Sequence, residues 1–259
     1  LALLALAQRN AYVAQTSVAD SAHFCDSVLG ALRYHGPALI QAYAPLPSQH
    51  GFASELSTQQ AALAVRSRTM PVYRYDPSAD GVFGSRISLD GNPQPAGLLA
   101  DGSDGNRPLT PADWALGQQR FKFAFAPLPS DAKAPVPLHE WLLLTATERT
   151  RKTPYLSPID GDEGARYSIA PALLDGVVDC LETWRTLQEL SGIVTPFTER
   201  LEEEIRAAVA AEHRAELDEQ KRASQAELTA LREKTEAEIA SKIKSRLMGL
   251  AARKRSGQE

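Results

Sequence analysis

Cysteine is almost missing from this chain: Cys25 and Cys180 are the only two in 259 residues. They stand far apart and in no metal-ligand spacing, which excludes a disulfide scaffold and any zinc or iron–sulfur site built from this chain alone. A reducing, cytoplasmic setting is the default. A basic excess is missing too, since 28 Lys and Arg face 32 Asp and Glu for a net charge of -4, and a general nucleic-acid binder is excluded with it. The opening LALLALAQ is too short to span a bilayer and has no basic start of a secretory signal, so no membrane is implied. What is present is a composition of 43% hydrophobic and 23% charged residues, ordinary for a soluble protein of one large or two small domains.

Three short apolar runs organise the first part: Tyr12-Val13-Ala14, Ala38-Leu39-Ile40-Gln41-Ala42-Tyr43 and Pro71-Val72-Tyr73-Arg74-Tyr75. Each has strand length, and the text between them has helical periodicity. The order reads strand, helix, strand, helix, strand, with the strands expected to be parallel. Over residues 20–34, Phe24, Val28, Leu29 and Leu32 form one stripe expected to cover a face of the sheet. Gly36-Pro37 ends that helix. A second helix is expected over 57–67, capped by Ser57 or Thr58, with Leu63, Ala64 and Val65 near its buried side.

The same stretch carries a family resemblance. The residues AYVAQTSVADSAHF, YHGPALIQAYAP and QQAALAVRSRTMPVYRYDP, taken together, resemble the closing part of the thiamine-diphosphate domain of pyruvate:ferredoxin (flavodoxin) oxidoreductases. In that family an apolar helix runs directly into the Tyr-Val-Ala strand. Residues 1–8 are therefore read as the tail of such a helix, and the chain, which begins with Leu, as a piece of a longer polypeptide. The expected fold is α/β: a partial thiamine-diphosphate-binding fold over 1–77, a loop or hairpin excursion over 78–109, a helical extension over 110–194, and one long charged helix over 195–259.

Within the excursion, Val82-Phe83 and Arg86-Ile87-Ser88-Leu89 flank Gly84-Ser85, the pattern of a small hairpin. Thr110-Pro111-Ala112-Asp113 restarts a helix with Thr as cap, Pro in the first turn and Asp at the positive end of the dipole. Further helices are expected over 138–147 and 171–190, the latter with Trp184, Leu187 and Leu190 at three-residue steps. From Thr195-Pro196 onward no further Pro occurs, and acidic residues crowd the start (Glu202, Glu203, Glu204) and basic ones the end (Lys242, Lys244, Arg246), an arrangement that favours a helix dipole. It reads as an antenna-like helix or a loose coiled coil, equally a solvated helix or a partner-binding one.

Chemistry is sparse. Thiamine-diphosphate enzymes hold Mg and the diphosphate by a Gly-Asp-Gly turn and a later Asn, and no such pair exists here. Asp160-Gly161-Asp162 resembles it in letters alone and reads as a surface turn. The resemblance makes Pro45, Leu46, Ser48 and His50 the cofactor-facing loop, near the iron–sulfur and thiamine region. In the resembled family a Cys follows the Pro and ligates the nearest cluster; here Leu46 stands there and the loop is one residue longer. Thiolate is what such a cluster requires. Three explanations stay open: the cluster is absent, its fourth ligand comes from another segment, or His50 takes the place, against the plainer use of His50 as a histidine bonded to backbone. Cys25 reads as a buried small hydrophobe, and Arg74 between two tyrosines wants a carboxylate, most simply a structural ion pair.

The resemblance implies the C-terminal portion of a pyruvate-type 2-oxoacid oxidoreductase. Thiamine diphosphate, Mg and iron–sulfur clusters would be held by the remainder of the polypeptide or by companion subunits, none by this chain alone. It also implies a homo-oligomer and ferredoxin or flavodoxin as electron partner. A reading of another class is a structural or assembly module of a related complex, with the redox route lost or altered and the long helix recruiting a partner.

Overall fold

The computed structural model describes residues 1–102, 107–159 and 164–255. The apolar opening folds as a short helix, α1 (Ala2–Ala7), with Ala2 and Leu6 buried, and leads into β1 (Tyr12–Ser17), buried at every position but Gln15. Asp20 caps α2 (Ser21–Arg33), its carboxylate accepting from the His23 amide at 2.9 Å, which serves one of the N–H groups that a first helical turn leaves unpaired. β2 (Ala38–Tyr43) follows, parallel to β1 from Tyr12 opposite Ala38 to Ser17 opposite Tyr43. A single turn, α3 (Pro47–His50), and the helix α4 (Ser57–Arg66) precede β3 (Tyr73–Tyr75) and β4 (Ile87–Ser88). The sheet order is β2-β1-β3-β4.

Only β1 and β2 are parallel in this sheet. β3 runs antiparallel to β1, and β4 antiparallel to β3, which corrects the expectation of three parallel strands. The cause lies in where the chain enters β3. Gln15, near the C-terminal end of β1, donates from its side chain to the Pro71 carbonyl at 2.7 Å, so the third strand starts at the end where a parallel strand would finish. The expected hairpin is also not formed: residues 84–86 make a 3₁₀ turn, Ile87 joins β3 opposite Tyr75, and the Phe83 ring packs 5.3 Å from that of Tyr75.

Helix α2 rests on the sheet by its small and polar residues. His23 and Ser27 are buried, whereas Leu29 is 48% and Leu32 77% exposed. A Cβ at Gly30 would meet the Tyr12 hydroxyl at 2.4 Å, so this position lets the helix approach the strand closely. Of the apolar stripe expected on the sheet, Leu29 and Leu32 therefore point away from it, while Phe24 and Val28 are half-buried. Helix α4 starts without a side-chain cap; Ser57 instead donates its hydroxyl back to the Ser54 carbonyl at 2.6 Å.

The region expected to be helical also holds a second sheet. It comprises α5 (Pro111–Leu116), β5 (Phe125–Pro127), β6 (Pro135–Pro137), α6 (Leu138–Trp141), α7 (Ala146–Arg149), β7 (Thr153–Leu156), β8 (Tyr167–Ile169) and α8 (Pro171–Ser191), with strand order β5-β8-β7-β6. The single helix expected over 138–147 is two: Arg149 binds the carbonyls of Trp141 and Leu142 that close α6, and a Thr145–Glu148 capping box opens α7.

Helix α8 joins both halves. Trp184 and Leu187 pack with Leu6, Val13, Tyr73, Tyr75 and Ile87 on one side of the first sheet, and Val177 and Leu181 pack with Leu138, Leu142 and Leu156 beside the second. Arg68, fully buried and with φ 66, reaches across the junction. Its Nη2 donates to the carbonyls of Pro93 at 2.6 Å and Gln94 at 2.9 Å, and its guanidinium lies 4.1 Å from the centre of the Trp184 ring. Burial lowers its pKa to about 10, so it stays charged at neutral pH.

Residues Leu1–Pro196 form one compact unit and Phe197–Glu259 another. The second is the helix α9 (Pro196–Arg255), 60 residues without a break and ~90 Å long at about 1.5 Å per residue. Its apolar residues Leu201, Ile205, Val209, Leu228, Leu231, Ile239 and Ile243 are all exposed. Among the described residues no helix is long and apolar enough to cross a membrane.

Candidate functional site

The loop that follows β2 is built on a tight reversal. Pro45 is buried, Leu46 is 48% exposed and opens the single turn of α3, and Ser48 is exposed. Gly51 closes that turn with φ 74, a left-handed conformation that glycine adopts without steric cost. Its carbonyl accepts from the Gln119 amide at 3.1 Å, and a Cβ at Gly51 would meet the Gln119 Cβ at 2.6 Å. Gly51→Ala is therefore expected to destabilise the chain by about 1–3 kcal/mol, measured as a lowered urea midpoint with unchanged slope.

This contact brings the loop against residues that the sequence did not associate with it. His50 is half-buried, 6.0 Å ring to ring from Phe52. Its Nδ1 is buried without a hydrogen-bond partner among the described residues, so the expected backbone bond is not formed at that atom. Burial, and then the Arg120 charge, lower its pKa. Arg120 donates from Nε to Gln118 Oε1 at 2.8 Å and lies over Trp114 and Phe121, 5.2 Å and 4.8 Å from their ring centres. Burial raises the Tyr43 phenol, while Trp114 and Arg120 draw it back down. The Tyr43 hydroxyl and the Trp114 Nε1 are near enough to interact, yet neither has a partner at full hydrogen-bond geometry among the described residues.

Tyr43, His50, Trp114 and Arg120 thus share one neighbourhood beside the outer strand of the parallel pair. Such a place suits hydrogen bonding to a ligand, because buried polar atoms without partners are costly to leave so. Only His50 was singled out by sequence; Trp114 and Arg120 come to it from a later, separate segment of the chain, and no local pattern announces them. Arg74, by contrast, has the carboxylate expected of it, with Nη1 3.8 Å from Asp26 Oδ2.

The loop does not fit an iron–sulfur cluster. It carries no thiolate, Cys25 is exposed on α2, and the Cys180 thiol is pushed up to about 11 by burial and then by Asp179, away from the ligating form. Among the described residues no three His, Cys, Asp or Glu side chains come together as a metal site. The Asp160-Gly161-Asp162 turn and residues 103–106 lie outside the described residues.

The histidines near the first sheet predict a pH dependence. His23 is buried with Nδ1 3.0 Å from Thr16 Oγ1 and Nε2 without a partner among the described residues. Its pKa is lowered from 6.5 by burial first and by Arg74 next, with Asp20, Asp26 and Asp90 opposing. A lowered folded-state pKa means that the unfolded chain takes up the proton more readily, so stability is complete above pH 6.5 and is lost as pH falls through the folded value. Thermal midpoints are expected to fall on acidification below pH 6.5, and His23→Gln to flatten that fall.

No family model matches the chain. Over 102 residues, 39% of its length, it is 35% identical to the pyruvate-flavodoxin oxidoreductase of Rhodospirillum rubrum. The matched segment spans 8% of that much larger protein. This is a distant relationship of one part of the chain to one part of an oxidoreductase.

Proposed function

We propose that this chain is the C-terminal portion of a 2-oxoacid oxidoreductase similar to pyruvate:ferredoxin (flavodoxin) oxidoreductase. Such an enzyme decarboxylates a pyruvate-type 2-oxoacid, passes the acyl group to coenzyme A and gives two electrons to ferredoxin or flavodoxin. What supports the reading, besides the partial likeness, is one observation. β2 pairs with β1 on one side only and is half-exposed along its length, although parallel strands are normally covered on both faces. The sheet asks for further protein at that edge, from the rest of the same polypeptide or a companion subunit, in a homo-oligomeric cytoplasmic enzyme. Thiamine diphosphate, Mg and the iron–sulfur clusters are then held outside this chain, and the loop of Pro45, Leu46, Ser48 and His50 faces them.

Leu46 favours a second reading. A leucine in the place of a thiolate suits a relative in which the redox route is lost or altered and the piece serves assembly, with α9 engaging a partner. Purifying the native polypeptide that contains this chain under anaerobic conditions separates the two. Bound iron and bleaching of its visible absorbance on addition of pyruvate are expected for the oxidoreductase; a protein without iron and without a spectral change overturns that reading and supports the assembly module.

A further inference from the structure

α2 packs on β1 and β2 and leaves the same face of the sheet open over β3 and β4. A groove of about 430 Å³ lies there, between α2 and residues 76–86, within the size range of small-molecule sites. Arg74 and Ser88, opposite one another in register, form its floor. Arg33 lines it from α2 and Arg86 from the facing wall.

The groove is lined by three guanidiniums against the two carboxylates of Asp26 and Asp76, which leaves one positive charge in excess. Asp26 pairs with Arg74 at 3.8 Å, a loose ion pair longer than a hydrogen bond. Asp76 Oδ1 is already engaged by the Ser78 amide at 2.9 Å and hydroxyl at 2.6 Å. Arg33 and Arg86 enter none of the ion pairs of the described residues, and Arg86 Nε is buried with no acceptor among them. The Tyr12 phenol also opens into the groove; burial keeps it protonated, with Asp76 and Asp26 adding to that and Arg74 opposing. A buried N–H without an acceptor is costly to leave so, and an anion that reached it would remove that cost.

We propose that this groove binds a small phosphate-bearing ligand, whose oxygens are taken by Arg33, Arg74 and Arg86 with the Tyr12 hydroxyl as a further donor. Three guanidinium forks offer more donors than the two oxygens of a carboxylate can use, whereas a phosphate monoester presents three terminal oxygens, and the planar fork matches them. The groove shares no residue with the loop at 45–51, so the proposal stands apart from the function proposed above.

Inorganic phosphate is the probe, titrated into the full 259-residue chain against chloride at matched ionic strength, with the thermal midpoint and heat of binding as readouts. A saturable rise of the midpoint with phosphate is expected, weakened at least tenfold in Arg33→Gln and Arg86→Gln. Asp26→Asn, which removes the carboxylate competing for Arg74, is expected to bind phosphate more tightly. Arg33 is exposed on its helix, so its variant folds and keeps the test readable even if the Arg86 variant does not. The absence of saturation, an equal rise with chloride, or affinity unchanged in both Arg33→Gln and Asp26→Asn overturns the proposal.

Discussion

Trp184→Ala is expected to remove about 3–5 kcal/mol of stability, the range for truncating a large aromatic in a packed core, and the shift of the urea midpoint measures it. Trp184 is fully buried where α8 meets the first sheet. Its Nε1 donates to the Gly97 carbonyl at 2.9 Å, and Gln188, one turn further along α8, donates to the same carbonyl at 3.2 Å and to that of Pro95 at 2.8 Å. Arg68 lies on the ring and grips Pro93 and Gln94. The truncation opens a cavity, takes a donor from the 93–97 turn and uncovers a buried cation that has no carboxylate partner among the described residues. Trp184→Phe, which keeps a ring under the guanidinium, is expected to recover most of the loss. In a double-mutant cycle with Arg68→Met the two positions are expected to couple by about 0.5–3 kcal/mol, because they share one contact and one turn.

A similar loss is expected at Asp113, where a single carboxylate fastens three parts of the chain. Asp113 Oδ2 accepts from the Thr110 amide at 2.8 Å, the Thr110 hydroxyl at 2.7 Å and Arg107 Nη1 at 3.1 Å. Arg107 also donates to the Ser157 carbonyl beyond β7. The Asp113 side chain is 5% exposed and that of Arg107 19%. Asp113→Ala leaves a largely buried guanidinium unpaired, which costs about 3–5 kcal/mol, and it removes the start of α5. Asp113→Asn keeps one acceptor and is expected to lose less, and replacing Arg107 and Asp113 together by apolar residues less again, as denaturant titration of the three variants checks.

The local rules were legible where a residue acts on its near neighbours. Thr110 with Asp113 at the head of α5 and the unbroken run of α9 follow from capping and from the placing of proline, whereas the Asp20 cap of α2 is seen in the structure alone. At Thr110 the roles are partly reversed, since its hydroxyl donates to Asp113. The α/β character and the parallel β1–β2 pair were legible for the same reason. The direction of β3 was not, because it depends on a contact between Gln15 and Pro71 far apart in sequence. The second sheet was hidden by its brevity: β5, β6 and β8 have three residues each, and prolines stand within β5, β6 and β7, where they argue against strand. The face of α2 was misassigned because close approach over Tyr12 requires Gly30 rather than a large apolar residue. Of the candidate site, the loop and His50 could be named, but Tyr43, Trp114 and Arg120 around it could not, since the tertiary fold alone brings them there.

The charge gradient of α9 has a consequence for whatever lies along it. Glu202, Glu203 and Glu204 near one end and Lys242, Lys244 and Arg246 toward the other give this rod a polarity that its own peptide dipoles oppose, each end cancelling part of the backbone field. A similar rod laid alongside would meet attraction when running the opposite way and repulsion when running the same way. That directional preference fades within about 8 Å at physiological salt, so α9 discriminates orientation only for a neighbour close enough to touch it.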